Sequence, residues 1–292
     1  MNDFFYAAEG LRRQIESKIL GLGLLARVFS RGKDPQSIQK KIDSSPGKYS
    51  LGGKLIQDCV GVRVVLYFPD DVDIVERALK GSYEYLAKDS SIDAVDENTF
   101  SVIRRNLVFK VPDEYVGDIS RKISAGMPID TTFEVQIRTV LSEGWHEVEH
   151  DLRYKCQEYW VGHSDMNRAL NGVIATLETS EWSMVKIFEE MAFRHYKSKN
   201  WTGMIHSRLR MRANPLLNSK ICELLDSDKE IAKQFYRIDR SLVIETIQKH
   251  KLRLPINLDN IVFLWNYIKI KNSKVSDLVP SVVLEKLSEI EA

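Results

Sequence analysis

Between Thr132 and Thr139, apolar and polar residues alternate without a break: Phe133, Val135 and Ile137 against Thr132, Glu134, Gln136 and Arg138. Alternate side chains of a strand share a face, so this segment is expected to be a strand with one face in a core. Its other face carries a carboxylate, an amide and a guanidinium in line. That row suits the floor of a cleft holding a charged ligand, although a surface ladder of ion pairs would use the same residues. A helical pattern follows at once. Leu141, Trp145, Val148 and Leu152 fall at helical spacing and are expected to pack on the sheet. His146, Glu149, His150 and Arg153 then lie on another face, next to the cleft.

The same helix contains His146-Glu147-Val148-Glu149-His150, which fits the H-E-x-x-H pattern of zinc proteases. Two histidines four apart can bind one zinc with Glu147 as base. No further His follows at the spacing of the extended motif, and only Glu178 and Glu181 offer a third ligand. A hydrogen-bonding role for the two histidines on a cleft wall needs none of this and is preferred.

Upstream, helical spacing covers residues 3–20, a short strand 24–30, and a helix 36–42 announced by Asp34-Pro35. The Val-rich run 61–68 reads as a buried strand ended by Pro69. A helix over 71–88, broken near Gly81, a strand over 100–112 and a helix over 113–123 complete the pattern. Strands alternating with helices imply a mixed sheet with helices against it. From about residue 164 no strong strand remains. A long helix over 166–196 and four or so short helices, broken at Asn214-Pro215, 226–228 and Leu254-Pro255, read as an all-α module. The expected division is 1–162 and 163–292, an α+β domain followed by helices. Arg194, Lys197, Lys199, Arg208, Arg210 and Arg212 open the second part. Such a run is usually a solvated face, with nucleic-acid contact the alternative.

At 292 residues the chain has room for two modest domains. A net charge of +1 gives no overall field toward nucleic acid or membrane. Cys59, Cys156 and Cys222 stand far apart and imply no disulfide framework, which fits a cytoplasmic protein. No signal pattern and no membrane-length apolar run is present.

Two further clusters carry charge. Arg31 and Lys33 sit at a strand end, with Ser37 and Lys41 one helical turn apart on the helix that follows. Arg forks, Lys point charges and a helix N-terminus suit a polyphosphate, although a solvated basic helix is common. Asp58 precedes the strand that bears Arg63, a position for a Mg²⁺ ligand or a turn cap.

The order of these pieces is distinctive: basic fork, Asp58 with Arg63 five residues on, Glu134-x-Gln136-x-Arg138, then the His-bearing helix. It resembles the synthetase domain of the RelA/SpoT family of alarmone synthetases over about residues 5–156. The resemblance implies a nucleotidyltransferase-type fold, a mixed sheet flanked by helices. It also implies transfer of the β,γ-pyrophosphate of ATP to the 3′-hydroxyl of GDP or GTP. On that reading Arg31, Lys33, Ser37 and Lys41 hold ATP phosphates and flank the adenine, which Arg63 faces. Asp58 binds Mg²⁺, and Glu134 is base or second metal contact. Gln136, Arg138 and His146 complete the nucleotide site, with Glu149, His150, Tyr154 and Lys155 on the closing helix.

The family's Gly-Tyr loop and following His, which serve the acceptor guanine, are missing. The region reads DENTFSVIRRNLVFKVP. Phe100, Arg104, Arg105 and Asn106 stand there as substitute acceptor contacts. ATP use is therefore better founded than acceptor identity. The alternatives are transfer to a tRNA 3′ end and a catalytically silent nucleotide-binding module. With no His-Asp hydrolase segment ahead of it, the chain is expected to make its product without degrading it. The oligomeric state and the partner of the helical module stay open.

Overall fold

The computed structural model describes residues 3–92, 105–124, 126–214 and 216–290. It forms two compact units: Met1–Lys18 with Ala26–Glu181, and Ile19–Leu25 with Trp182–Ala292. The fold is α+β, a mixed five-stranded sheet flanked by helices, with a helical C-terminal region.

In the first unit the elements run α1 (Asp3–Gly21, of which residues 3–18 belong here), β1 (Ala26–Gly32), α2 (Pro35–Asp43), β2 (Val60–Leu66) and α3 (Val72–Lys80). They continue through β3 (Ser91–Ile92), β4 (Arg105–Lys110), α4 (Asp113–Ser124), β5 (Thr132–Thr139) and α5 (Val140–Leu152). α6 (Ser164–Lys197) contributes residues 164–181. The sheet order is β1-β2-β5-β4-β3. β2 and β5 are parallel neighbours at its centre, and every other pairing is antiparallel.

One face of this sheet is the core. Val28, Val62, Val64, Leu66, Leu107, Phe109, Phe133, Val135 and Ile137 are all buried there. Phe109 stacks on Phe133 at 5.4 Å between ring centres, and Tyr83 meets Phe133 edge-on at 5.3 Å. Burying each large apolar side chain contributes roughly 1.5–3 kcal/mol. α1 lies against β1: a Cβ on Gly32 would collide with the backbone of Phe4 and Phe5, so only glycine permits that approach.

Three differences from the sequence reading have physical causes. The helix expected over 71–88 does break near Gly81 but does not resume: it ends at Lys80, where Gly81 caps it by donating to the Arg77 carbonyl. The chain beyond leaves the helical path, so that Tyr83 and Tyr85 pack on Phe109 and Phe133. α5 does not press Val148 and Leu152 on the sheet; they are 49% and 63% exposed. Its anchor is Trp145, whose Nε1 donates to the Leu170 carbonyl at 3.1 Å. The third concerns the basic run of the helical region, described next.

The second unit contains residues 182–197 of α6, then α7 (Trp201–Leu209), α8 (Ser219–Ser227), α9 (Lys229–Tyr236), α10 (Arg240–Lys249), α11 (Leu258–Trp265), α12 (Ser273–Ser276) and α13 (Ser281–Ser288). Asn200, Asn218, Asp228, Asp239, Asn257 and Asn272 cap the starts of α7 to α12 with their side chains. Phe235, Val243, Ile244, Leu258 and Val262 fill its core. The basic opening is not wholly a solvated face. Arg210 is buried, and Arg208 Nε donates to the Ile238 carbonyl at 3.3 Å.

Candidate active site

The strand register carries the polar side chains to the sheet face opposite the core. Gly61 pairs with Glu134 and Arg63 with Gln136 across β2 and β5, while Phe29 and Arg31 of β1 stand opposite Arg63 and Gly61. A cavity of about 520 Å³ opens there, lined by Phe29, Arg31, Asp58, Arg63, Glu134, Gln136, Glu143 and Glu147 among others. Asp58 and Glu134 therefore share one cavity, brought together by neighbouring parallel strands.

The cations of the N-terminal fork close on Asp58. Lys33 Nζ lies 2.7 Å from Asp58 Oδ2, and Lys41 Nζ 3.0 Å from the same oxygen. Asp34 caps α2 by accepting from the Gln36 N–H, which sets Lys41 about two turns further on, facing Asp58. Burial alone would raise the Asp58 carboxyl; the Lys33 and Lys41 ammonium groups outweigh it and hold the group below the ordinary range. Glu134 goes the other way. Burial is the main cause that pushes its carboxyl up, and the charge on Asp58 adds to it against a hydrogen bond from Gln136. Two carboxylates whose environments drive them apart are suited to different roles.

A hydrogen-bonded row runs on from Glu134. Gln136 Nε2 donates to Glu134 at 3.4 Å, Arg138 to Gln136 at 3.2 Å, and Arg138 again to Glu143 at 2.9 Å. Arg63 reaches Glu143 and Glu147 of α5 from the neighbouring strand. Thr139 and Ser142 form a reciprocal cap that starts α5 at the strand end and thereby aims Glu143 and Glu147 at Arg63. Glu147 is held below the ordinary range: burial opposes this, and Arg63 overcomes it.

Arg31, Asp58, Arg63, Glu134 and Gln136 thus meet at the cavity, with Lys33 and Lys41 on Asp58 and Arg138 behind the row. Ser37 is exposed on α2. His146 stands on α5 with its ring 5.7 Å from that of His150, which in turn stacks on Tyr154 at 5.6 Å. The zinc arrangement does not form. Glu147 is engaged by Arg63, and among the described residues no group of three or more His, Cys, Asp or Glu could hold a metal.

Of the substitute acceptor contacts, Phe100 lies outside the described residues, as does Arg104. Asn106 pairs with Gln136 and so shares the cavity face. Arg105 does not: it pairs with Ile137, on the core face, and is held by Glu76 and Asp73 of α3. The two strand neighbours point to opposite faces because the pleat alternates. Glu143 and Phe29 were not singled out from sequence. A Glu143/Glu147 pair one helical turn apart, facing an arginine on the adjoining strand, was the available signal for the first.

Residues 30–159 match the family model described as a region found in RelA / SpoT proteins. This segment carries the RelA/SpoT region. The RelA/SpoT region thus spans β1 to the turn after α5, and it contains every cavity residue named above except Phe29. No curated protein matches the chain. Among solved structures, it is similar to small alarmone synthetase 1 from Bacillus subtilis, with 22% identity over 63% of this chain and 92% of that one, TM-score 0.46. Small alarmone synthetase 2 from the same organism gives 18% identity over 64% and 95%, TM-score 0.47. A GTP pyrophosphokinase family protein from Streptococcus pneumoniae gives 21% over 63% and 88%, TM-score 0.42. No helix among the described residues is long and apolar enough to cross a membrane.

Proposed function

We infer that the RelA/SpoT region is an ATP-dependent pyrophosphokinase acting on the ribose 3′-hydroxyl of GDP or GTP. The observation that carries this reading is the convergence of Asp58 and Glu134 on one cavity that Arg31 and Arg63 also line, with Lys33 and Lys41 paired to Asp58. Pyrophosphoryl transfer depends on alignment and charge neutralisation more than on covalent help. Arg31, Lys33 and Lys41 are the groups to bind the triphosphate, and Arg63, held by Glu143 and Glu147, presents its guanidinium plane to the adenine.

In the transfer, the acceptor 3′-oxygen forms a bond to the β-phosphorus. The bond from that phosphorus to the oxygen bridging to the α-phosphorus breaks, and AMP leaves with the electron pair. Glu134, its carboxyl raised by burial, is the group to take the hydroxyl proton on this reading. The donor set fits Mg²⁺, which takes one or two carboxylates and completes its shell with substrate phosphates and water. Asp58 and Glu134 would hold it, and their mutual repulsion is what a divalent cation relieves. When bound, it supplies neutralisation of phosphate charge.

The test is transfer of label from γ-labelled ATP. Labelled GDP- or GTP-derived product supports the reading, and its loss in Glu134→Gln assigns the chemistry to this site. Label appearing only on a tRNA 3′ end moves the acceptor to RNA. ATP binding with no transfer to any acceptor defeats the enzyme reading in favour of a nucleotide-binding module.

A further inference from the structure

Glu181, a candidate third ligand in the zinc pattern, has no part in the transfer chemistry and does not line the cavity. It stands on α6 and is only 6% exposed. Its carboxyl takes hydrogen bonds from the Thr139 hydroxyl and from the N–H groups of Ser142 and Leu141, the end of β5 and the first turn of α5. Burial raises this carboxyl above the ordinary range, the charge of Glu178 adds to it, and those hydrogen bonds oppose both. Oε1 has no hydrogen-bond partner among the described residues, so the burial is not fully compensated.

The start of α5 does not need this group in order to form. Thr139 and Ser142 already close it with a reciprocal cap. α6 also holds α5 further along, where Trp145 Nε1 donates to the Leu170 carbonyl at 3.1 Å and Arg153 donates to Asn171 Oδ1 at 2.8 Å. What Glu181 adds is a fixed place for the first turn. A carboxyl suits the positive end of a helix, and the amides it meets directly precede Glu143. Glu143 and Glu147, one helical turn apart, are the groups that hold Arg63 at the cavity. A shift of that turn by about 1 Å would carry both carboxylates away from the position that orients the guanidinium.

Resting on the transfer reading above, we propose that Glu181 is a positioning residue of the ATP site: it ties the first turn of α5 to α6, so that Glu143 and Glu147 keep Arg63 turned to the donor nucleotide. The residue acts through Arg63 and touches no substrate.

The test is affinity for a non-hydrolysable ATP analogue, together with kcat from label transfer. Glu181→Ala is expected to weaken the analogue by about five- to tenfold, the size of a lost contact at a helix start, with kcat at saturating ATP within about twofold of the parent. Glu181→Gln keeps an acceptor oxygen and should bind within about twofold of the parent. In an Arg63→Ala background, Glu181→Ala should change affinity by less than about twofold, because the group it acts through is gone. Thermal melts establish that each variant is folded, and Glu181→Met, of similar length without the carboxyl, gives the same readings should the alanine variant unfold. Unchanged affinity in the folded variant overturns the proposal. So does an equal loss with and without Arg63, which is what general loosening of the fold produces. The expected affinity pattern without any label transfer upholds the role of Glu181 and overturns only the enzymatic reading; a parent protein that does not bind the analogue overturns both.

Discussion

Lys33 Nζ and Asp58 Oδ2 are 2.7 Å apart, and Lys41 closes on the same carboxylate from α2. The groups suited to triphosphate and those suited to its metal neutralise one another in the free protein. On the proposed reading, nucleotide phosphates compete for the lysines and release Asp58. Free protein should therefore bind Mn²⁺ weakly, and Lys33→Ala/Lys41→Ala should bind it about three- to tenfold more tightly, as expected from breaking two partly exposed pairs. Electron paramagnetic resonance of free Mn²⁺ measures this. The same double variant should lose about a hundredfold in ATP affinity. A drop in both affinities would refute the competition.

Glu134 should set the acid limb of the pH–rate profile. In the free protein its carboxyl is raised by burial and by Asp58, and a divalent cation held there would lower it again, so the acid limb of kcat/KM should shift to lower pH as Mg²⁺ is raised. Glu134→Gln should lower kcat by about 10²- to 10⁴-fold. The folded state binds this proton more tightly than the unfolded state, so the group's contribution to stability declines as pH rises through the unfolded and then the folded value. Glu134→Gln should accordingly raise Tm at about pH 7 and have little effect near about pH 4. Thermal melts at both values check the sign.

Glu143 and Glu147 both hold Arg63, and Glu143 also pairs at 2.9 Å with Arg138, whose side chain is 3% exposed. Glu143→Ala should cost about 2–3 kcal/mol because it strips a carboxylate from a buried guanidinium. Glu147→Ala, at an exposed position, should cost under about 1 kcal/mol. Urea unfolding of the two variants gives the ranking; equal costs would mean that Arg138 does not depend on Glu143.

Arg105 serves the core face through Glu76 and Asp73. Arg105→Ala should therefore lower stability by about 1–3 kcal/mol while leaving the acceptor KM within about twofold. A tenfold rise in KM with unchanged stability would return Arg105 to the acceptor site.

Much of the fold was legible because local patterns report local burial. The alternation through Thr132–Arg138 placed Phe133, Val135 and Ile137 in the core, and Asp34-Pro35 marked the start of α2. α5 was misread in one respect: helical spacing shows that Val148 and Leu152 share a side but not what lies beside it, and here both stay about half-exposed or more. Arg105 and Asn106 were equivalent as neighbouring polar residues until register with β5 separated them.

The sequence by itself determined which side chains stand on one face of a strand or a helix turn, since backbone periodicity fixes that without knowledge of neighbours. It also carried the order of charged residues that marks the RelA/SpoT region. Only the tertiary structure decided that Asp58 meets Lys33 and Lys41 and that Arg63 lies between Glu143 and Glu147. Those contacts depend on strand order and on the parallel pairing of β2 with β5. Both are set by how distant segments bury their apolar faces together, and no local pattern encodes that.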